Sequence, residues 1–332
     1  MLAEQGFTGD EALLDWNESP LGPPPAAVRR VIDVAPRLHR YPRGLMEEVT
    51  VLAADYLRVS PRQVLLTSGV DEAVDIALSL APRGWGTQPG FDGYEDRVRA
   101  NGKPFHPIPL GPTWQPVGEC EGLTDADIVF LAQPGNPTGN LLDPDWVRKV
   151  RSSAAYVFID ETYREFASGG SVLDDGIDNR LLVYRSFSKA MGLAGIRIGC
   201  LVADTDVIDR LAPVRRFMPI DAVSLSAAAG VLEDLSFVKQ LTDYVLEARA
   251  ALAADLRASG LFAEVRDTEA NFVVARLRPD TSEQVLAALN QEGIRVKSCQ
   301  VLGLPDWIRV SVGSREDQHR LSTCLQSVQT TT

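Results

Sequence analysis

Within SFSKAMGLAGIRIG, Ser186 to Gly199, one lysine stands among hydroxyl, small and apolar residues, and no other charge occurs between Arg185 and Arg197. A lysine amine withdrawn from water favours its neutral form. Its pKa falls, and the free nitrogen can attack an aldehyde. A lysine snorkelling from a strand edge would look the same in isolation. Its neighbours argue for chemistry: Ser186 and Ser188 flank Lys189, and Arg197 opens the next apolar run. Two hydroxyls and a guanidinium can together hold a phosphate dianion. Upstream, TSGVDEAVDIAL sets Gly69, Val70 and Asp71 where a strand gives way to a helix. A helix N-terminus offers free N–H groups to an anion, although a cap by Asp71 accounts for that junction equally well.

A second group lies in FIDETYREF. Asp160 ends an apolar run, and ligands of open α/β sheets bind at strand ends. A carboxylate there is either a helix cap or the counter-charge of a cation, such as the protonated nitrogen of a pyridine ring. Tyr163, three residues on, could reach that ring's hydroxyl. In AQPGNPTGN, Asn136 precedes Pro137 and is therefore held extended or turned, with its amide free to donate to a ring oxygen.

These residues need a scaffold that gathers strand ends. Apolar runs at 63–69, 127–134, 156–161, 181–187 and 196–203 predict strands covered on both faces, and helical patterns fill 70–81, 92–102 and 143–153 between them. The alternation is that of an α/β fold. From about Leu225 the texture changes to one long Ala- and Leu-rich helical reach ending at Gly260. Short runs at 271–277, 282–293, 294–298 and 307–313 follow, an α+β arrangement. We expect a large α/β domain over 36–225 and a small α+β domain formed by 1–35 with 226–332.

A formal charge of -12 argues against a nucleic acid or an anionic membrane as partner. No apolar run reaches the ~20 residues of a membrane-spanning helix, and the N-terminal MLAEQGFTGDEALL lacks the pattern of a signal peptide. Cys120, Cys200, Cys299 and Cys324 form no C-x-x-C pair and have no histidine cluster beside them, so no metal site is expected and a reducing cytoplasmic setting is. A dinucleotide-binding oxidoreductase would need G-x-G-x-x-G after the first strand, and Gly192, Gly195 and Gly199 have the wrong spacing. No basic helix-turn-helix segment precedes residue 15 to suggest a ligand-sensing regulator. His39, His106 and His319 read as surface or bystander residues, Trp16 as core in preference to a place over the active site, and Glu18, Glu72 and Glu161 as solvated or capping.

Taken together, WNESPLGPPP, RYPRG, TSGVDEAVDIAL, QPGFDGY, IVFLAQPGNPTGN, YVFIDETYREFA, RSFSKAMGLAGIRIG, ANFVV and WIRVSVGSRED resemble the fold type I pyridoxal-phosphate enzymes, from about residue 15 to 317. Within them the chain is most similar to histidinol-phosphate aminotransferases and their relatives the threonine-phosphate decarboxylases. The resemblance implies an aspartate-aminotransferase-like architecture: a three-layer, mostly parallel mixed sheet with a smaller domain beside it. It also implies pyridoxal 5'-phosphate and a ping-pong Schiff-base transfer of an amino group between an anionic amino donor and a 2-oxo acid. By resemblance, Lys189 joins the cofactor and shuttles the proton, Asp160 pairs with the ring nitrogen, and Asn136 and Tyr163 contact the ring hydroxyl. Ser186, Ser188 and Arg197, with the Gly69–Asp71 turn, hold the phosphate, and Phe91 stacks on the ring. Tyr41 reaches the cofactor phosphate of the neighbouring subunit in a homodimer. Arg309 grips the substrate anion, and Asn17 folds over the site. Three positions depart from the histidinol-phosphate pattern: Lys297 stands for an arginine, Leu21 for a tyrosine, and PGF for PTY or PTF. Lysine keeps the charge but not the fork. The alternatives carried with the lead reading are an aminotransferase for a carboxylate-bearing amino acid of secondary metabolism and a threonine-phosphate-decarboxylase-like enzyme.

Overall fold

The computed structural model describes residues 11–118 and 120–331. Residues 1–10, which open the expected small domain and the N-terminal stretch read for a signal peptide, lie outside the described residues. The strands are β1 (Ala12–Leu14), β2 (Val64–Thr67), β3 (Gly84–Gln88), β4 (Phe105–Pro109), β5 (Ile128–Ala132), β6 (Tyr156–Asp160), β7 (Leu181–Ser186), β8 (Gly199–Ala203), β9 (Phe262–Arg266), β10 (Phe272–Leu277), β11 (Ile294–Ser298) and β12 (Trp307–Ser311). The helices are α1 (Pro25–Val34), α2 (Leu45–Leu57), α3 (Gly69–Ala77), α4 (Asp92–Ala100), α5 (Pro144–Ser153), α6 (Thr205–Leu211), α7 (Ala222–Glu233), α8 (Ser236–Ala258), α9 (Ser282–Gln291) and α10 (Arg315–Thr331).

Seven strands form the large sheet in the order β2-β8-β7-β6-β5-β3-β4, parallel except for β8, which runs antiparallel to both of its neighbours. Every residue of β5 and β7 is buried, because helices cover both faces and neither side chain of an alternating pair meets water. Leu65, Phe130, Phe158, Tyr184 and Leu201 belong to one core, and Leu66, Leu131, Ile159, Val183 and Cys200 to the other. The lone antiparallel strand decides where the chemistry gathers. Gly199, its first residue, pairs with Ser186 at the end of β7 and with Thr67 at the end of β2. The segment entering β8 therefore meets the segments leaving β2 and β7 at one edge, beside Asp160 at the end of β6.

A second sheet has the order β1-β11-β12-β10-β9, antiparallel except for the β1–β11 pair. It places Lys297 on β11 directly opposite Arg309 on β12.

Several expectations are corrected. The long helical reach after Leu225 is two helices. The chain breaks at Asp234 (φ -135, ψ 87), whose carboxylate accepts from the N–H of Ser236, the first residue of α8, at 3.1 Å and from its hydroxyl at 2.5 Å. Arg197 does not lie in a strand: it closes a short 3-10 turn in the left-handed region at φ 50, two residues before β8. The first of those two helices, α7, packs against α1 and α2. Gly230 allows that closeness, since a Cβ there would lie 2.6 Å from the Ala26 carbonyl oxygen. β3 and β4 had no strand signature, for one carries two glycines and the other two prolines.

Candidate active site

The edge where β2, β6 and β7 end opens into a cavity of about 560 Å³. Its anion-facing corner has four parts. Ser186 and Ser188 are buried, and the Ser188 N–H donates to Ser186 Oγ at 3.1 Å. Arg197 turns inward from its left-handed backbone, with Nη2 3.7 Å from Asp71 Oδ2. Helix α3 begins at Gly69, and no side chain caps it: Ser68 at the N-cap uses only its backbone N–H, donated to Glu72 Oε2 at 2.6 Å. The capping alternative for Asp71 is thus set aside, and the helix presents bare N–H groups and a positive dipole end. Gly69 sits at φ +78, where an added Cβ would come within 2.9 Å of Arg197 Nη2, so the glycine makes room for the guanidinium.

Lys189 stands beside this corner. Its half-buried amine donates to the Trp16 carbonyl at 2.7 Å. Burial, with the nearby charges of Arg309 and Arg197 adding to it and that of Glu18 opposing, pulls its pKa down to about 7. Asp160 is buried at the cavity wall. Its carboxylate accepts from the Tyr94 hydroxyl at 2.7 Å and the Thr162 N–H at 2.9 Å. Burial pushes its pKa up against the lowering effect of those two hydrogen bonds. A buried carboxylate in this state gains from a cation brought beside it. Tyr163, also buried, accepts from Asn17 Nδ2 at 2.9 Å, and burial raises its pKa while Arg309 and Asn17 oppose the rise.

The far wall comes from the second sheet and the N-terminal strap. Asn17 is fixed by four hydrogen bonds: its N–H donates to Ser311 Oγ at 2.9 Å, its Oδ1 accepts from the same hydroxyl at 2.9 Å, its carbonyl accepts from Asn271 at 3.0 Å, and its amide reaches Tyr163. This set holds it at φ 55, in the left-handed region. Arg309 is 6% exposed, yet it meets only neutral acceptors, Asn136 Oδ1 at 2.5 Å and the Asp15 carbonyl at 2.6 Å, and its Nε has no partner. Lys297 lines the same wall.

Of the sequence-predicted residues, the structure brings Asn17, Val70, Phe91, Asn136, Asp160, Tyr163, Ser186, Ser188, Lys189, Arg197, Lys297 and Arg309 to the cavity lining. Gly69 and Asp71 lie behind it against Arg197. Leu21 does not reach the cavity and packs on the core. Tyr41 is 72% exposed and outside it. Trp16, expected in the core, is 69% exposed and stands at the cavity mouth with Glu18. Glu161, expected to be solvated or capping, is buried against Arg185. His106 is half-buried and stacks on Trp85 with ring centroids 4.6 Å apart. Tyr94 was missed. It lies 66 residues from Asp160 in a helix whose pattern says only that one face is buried, so no local signal marks the hydroxyl.

The residues fit a phosphorylated pyridine aldehyde. The corner supplies donors for a dianion, Lys189 an amine titrating near neutrality, and Asp160 a buried carboxylate lacking a cation. The arrangement agrees with sequence comparison, in which the family model described as aminotransferase class I and II matches residues 10–324. The chain belongs to the class I and II aminotransferases. Two relatives named histidinol-phosphate aminotransferase are each 32% identical to it. The alignment with that of Methanothermobacter thermautotrophicus covers 95% of this chain and 88% of the relative, and with that of Haloarcula marismortui 98% and 92%. The crystal structure of the histidinol-phosphate aminotransferase from Sinorhizobium meliloti in complex with pyridoxal-5'-phosphate superposes with a TM-score of 0.83 at 23% identity, covering 96% of this chain and 91% of that one. At that identity the superposition speaks for the fold, and the large sheet with its smaller companion is the aminotransferase arrangement.

Proposed function

We propose that this aminotransferase uses pyridoxal 5'-phosphate to move an amino group between an anionic amino donor and a 2-oxo acid, in the manner of a histidinol-phosphate aminotransferase. The observation that carries the reading is the Lys189 amine, with its pKa near 7, set between an uncapped helix N-terminus and a buried Asp160. Ser186, Ser188, Arg197 and the start of α3 would hold the cofactor phosphate, Phe91 would cover the ring, and Asn136 and Tyr163 would meet its hydroxyl. When bound, the cofactor supplies an electron-accepting ring beside the substrate's amine-bearing carbon. Lys189 takes a proton from that carbon and returns it, which a group titrating near neutral pH does in either direction. Asp160 favours a protonated ring nitrogen, because its own buried charge lacks a cation. Asn17 and Trp16 close the mouth and exclude water.

The substrate anion is assigned to Arg309 and Lys297. A guanidinium so deeply buried with neutral partners alone is a charge awaiting an anion, and the lysine opposite it on β11 brings a second positive charge suited to a dianion. Mixing the holoenzyme with histidinol phosphate and recording the visible absorption of the bound cofactor tests this assignment. Rapid conversion supports it. Conversion by unphosphorylated amino acids alone would assign the site to a carboxylate donor, and carbon dioxide release would assign it to the decarboxylases.

We assign the large domain to 36–225 and the small one to 1–35 with 226–332, and we place the chain in the cytoplasm, where the buried thiols of Cys200, Cys299 and Cys324 stay reduced. Among the described residues, no helix is long and apolar enough to cross a membrane. Two copies would pair through the face where Ile32, Leu38 and Tyr41 stand 64%, 53% and 72% exposed, with Tyr41 contributed to the neighbouring site.

A further inference from the structure

Behind the cavity, on the opposite face of the large sheet, three charges are buried that no step above uses. Arg185 on β7 places Nη1 3.2 Å from Glu161 Oε2, and its Nη2 donates to Glu165 Oε1. Glu161 is 1% exposed and also accepts from Ser171 Oγ at 2.6 Å and the Val172 N–H at 2.8 Å. Glu165 accepts from the Tyr56 hydroxyl, on α2, at 2.9 Å. Such a cluster adds little net stability, since the cost of desolvating three charges offsets their attraction, and apolar side chains of similar volume often do as well. Its place in the chain is more telling. Glu161 follows Asp160, Glu165 lies two residues after Tyr163, and Arg185 precedes Ser186. The Glu161 N–H donates to the Tyr184 carbonyl at 2.9 Å, extending the β6–β7 register past the strand end.

We infer that Arg185 is a positioning residue: by gripping Glu161 and Glu165 from behind the sheet, it fixes the turn bearing Asp160 and Tyr163 against the strand end bearing Lys189. The inference refines the aminotransferase reading of the same site. The test is a double-mutant cycle between Tyr163→Phe and the combined Arg185→Met, Glu161→Gln and Glu165→Gln, which removes all three charges without stranding any. In the parent background the triple substitution should lower kcat of the amino-donor half-reaction by about 10-fold or more, the effect of a small misplacement. KM and cofactor affinity should stay within about 2-fold, because the phosphate corner and Arg309 are untouched. In the Tyr163→Phe background it should lower kcat by less than about 2-fold further, since groups acting as one unit do not add. Losses that multiply across the two backgrounds, or a lowered melting temperature with kcat unchanged, would overturn the claim. If the triple variant does not fold, Arg185→Lys, which keeps the charge but not the fork, enters the same cycle. The absorption spectrum of bound pyridoxal phosphate, read on the same four proteins, needs no amino donor. A wrong donor class would therefore leave that half of the test standing, with the same non-additivity expected.

Discussion

At Lys189, burial and the cations of Arg309 and Arg197 outweigh the carboxylate of Glu18, and the amine titrates near 7. The consequence for stability has a definite sign. The folded pKa lies below the 10.5 of a free lysine, so the unfolded chain binds more protons between about pH 7 and pH 10.5. Lys189 therefore destabilises the cofactor-free protein at and below neutral pH, and this penalty fades as pH rises toward 10.5. Lys189→Met should raise the melting temperature of the cofactor-free protein more at pH ~6.5 than at pH ~9.5; the reverse order would contradict the assigned environment. The same substitution should abolish covalent retention of the cofactor, read by mass spectrometry after borohydride reduction. At Asp160 the charge itself is the point: Asp160→Asn keeps the shape and the Tyr94 contact but loses the counter-charge, and kcat should fall by about 10²-fold or more. A loss under about 3-fold would leave the carboxylate without its assigned role.

At the scale of elements, the junction of β2, α3 and β8 assembles the anion corner, and Gly69 is its tightest point. Gly69→Ala puts a side chain at positive φ and against Arg197, so it should cost about 1–2 kcal/mol of stability and weaken pyridoxal-phosphate affinity. Thermal melting and a binding titration check the two effects, and unchanged affinity would mean that Arg197 does not face the phosphate. The strands of this region were legible in sequence because β5, β6 and β7 are apolar almost without interruption, and Lys189 was legible because its isolation cannot be explained by a solvated face. β3, β4 and the break at Asp234 were not, since glycine and proline suppress strand propensity and helical periodicity runs on across a two-residue interruption. Tyr94 and the buried state of Glu161 were invisible for a different reason: both depend on partners 66 and 24 residues away, which no local pattern encodes. Trp16, between Asp15 and Asn17, was read as core on its aromatic side chain alone; only the fold shows that the segment after β1 passes the cavity mouth.

At the scale of the whole molecule, a chain of net charge -12 concentrates Lys189, Arg197, Lys297 and Arg309 around one cavity. Those four cations favour an anionic ligand there, and binding through the half-exposed Arg197 should weaken as salt rises. If Tyr41 serves a neighbouring site, Tyr41→Ala should leave the fold intact and lower pyridoxal-phosphate affinity only in the assembled form, while sedimentation reports two copies for the parent. A parent that sediments as one copy with full affinity would remove that role. The central claim is that the cavity performs amino-group transfer, and one measurement addresses it most directly: single-turnover absorption of the pyridoxal-phosphate-loaded protein on mixing with histidinol phosphate, then with a 2-oxo acid. The expected result is loss of the lysine-bound cofactor band in the first mix and its return in the second, both absent in Lys189→Ala. A band unmoved by histidinol phosphate and by every amino acid tried would contradict the account.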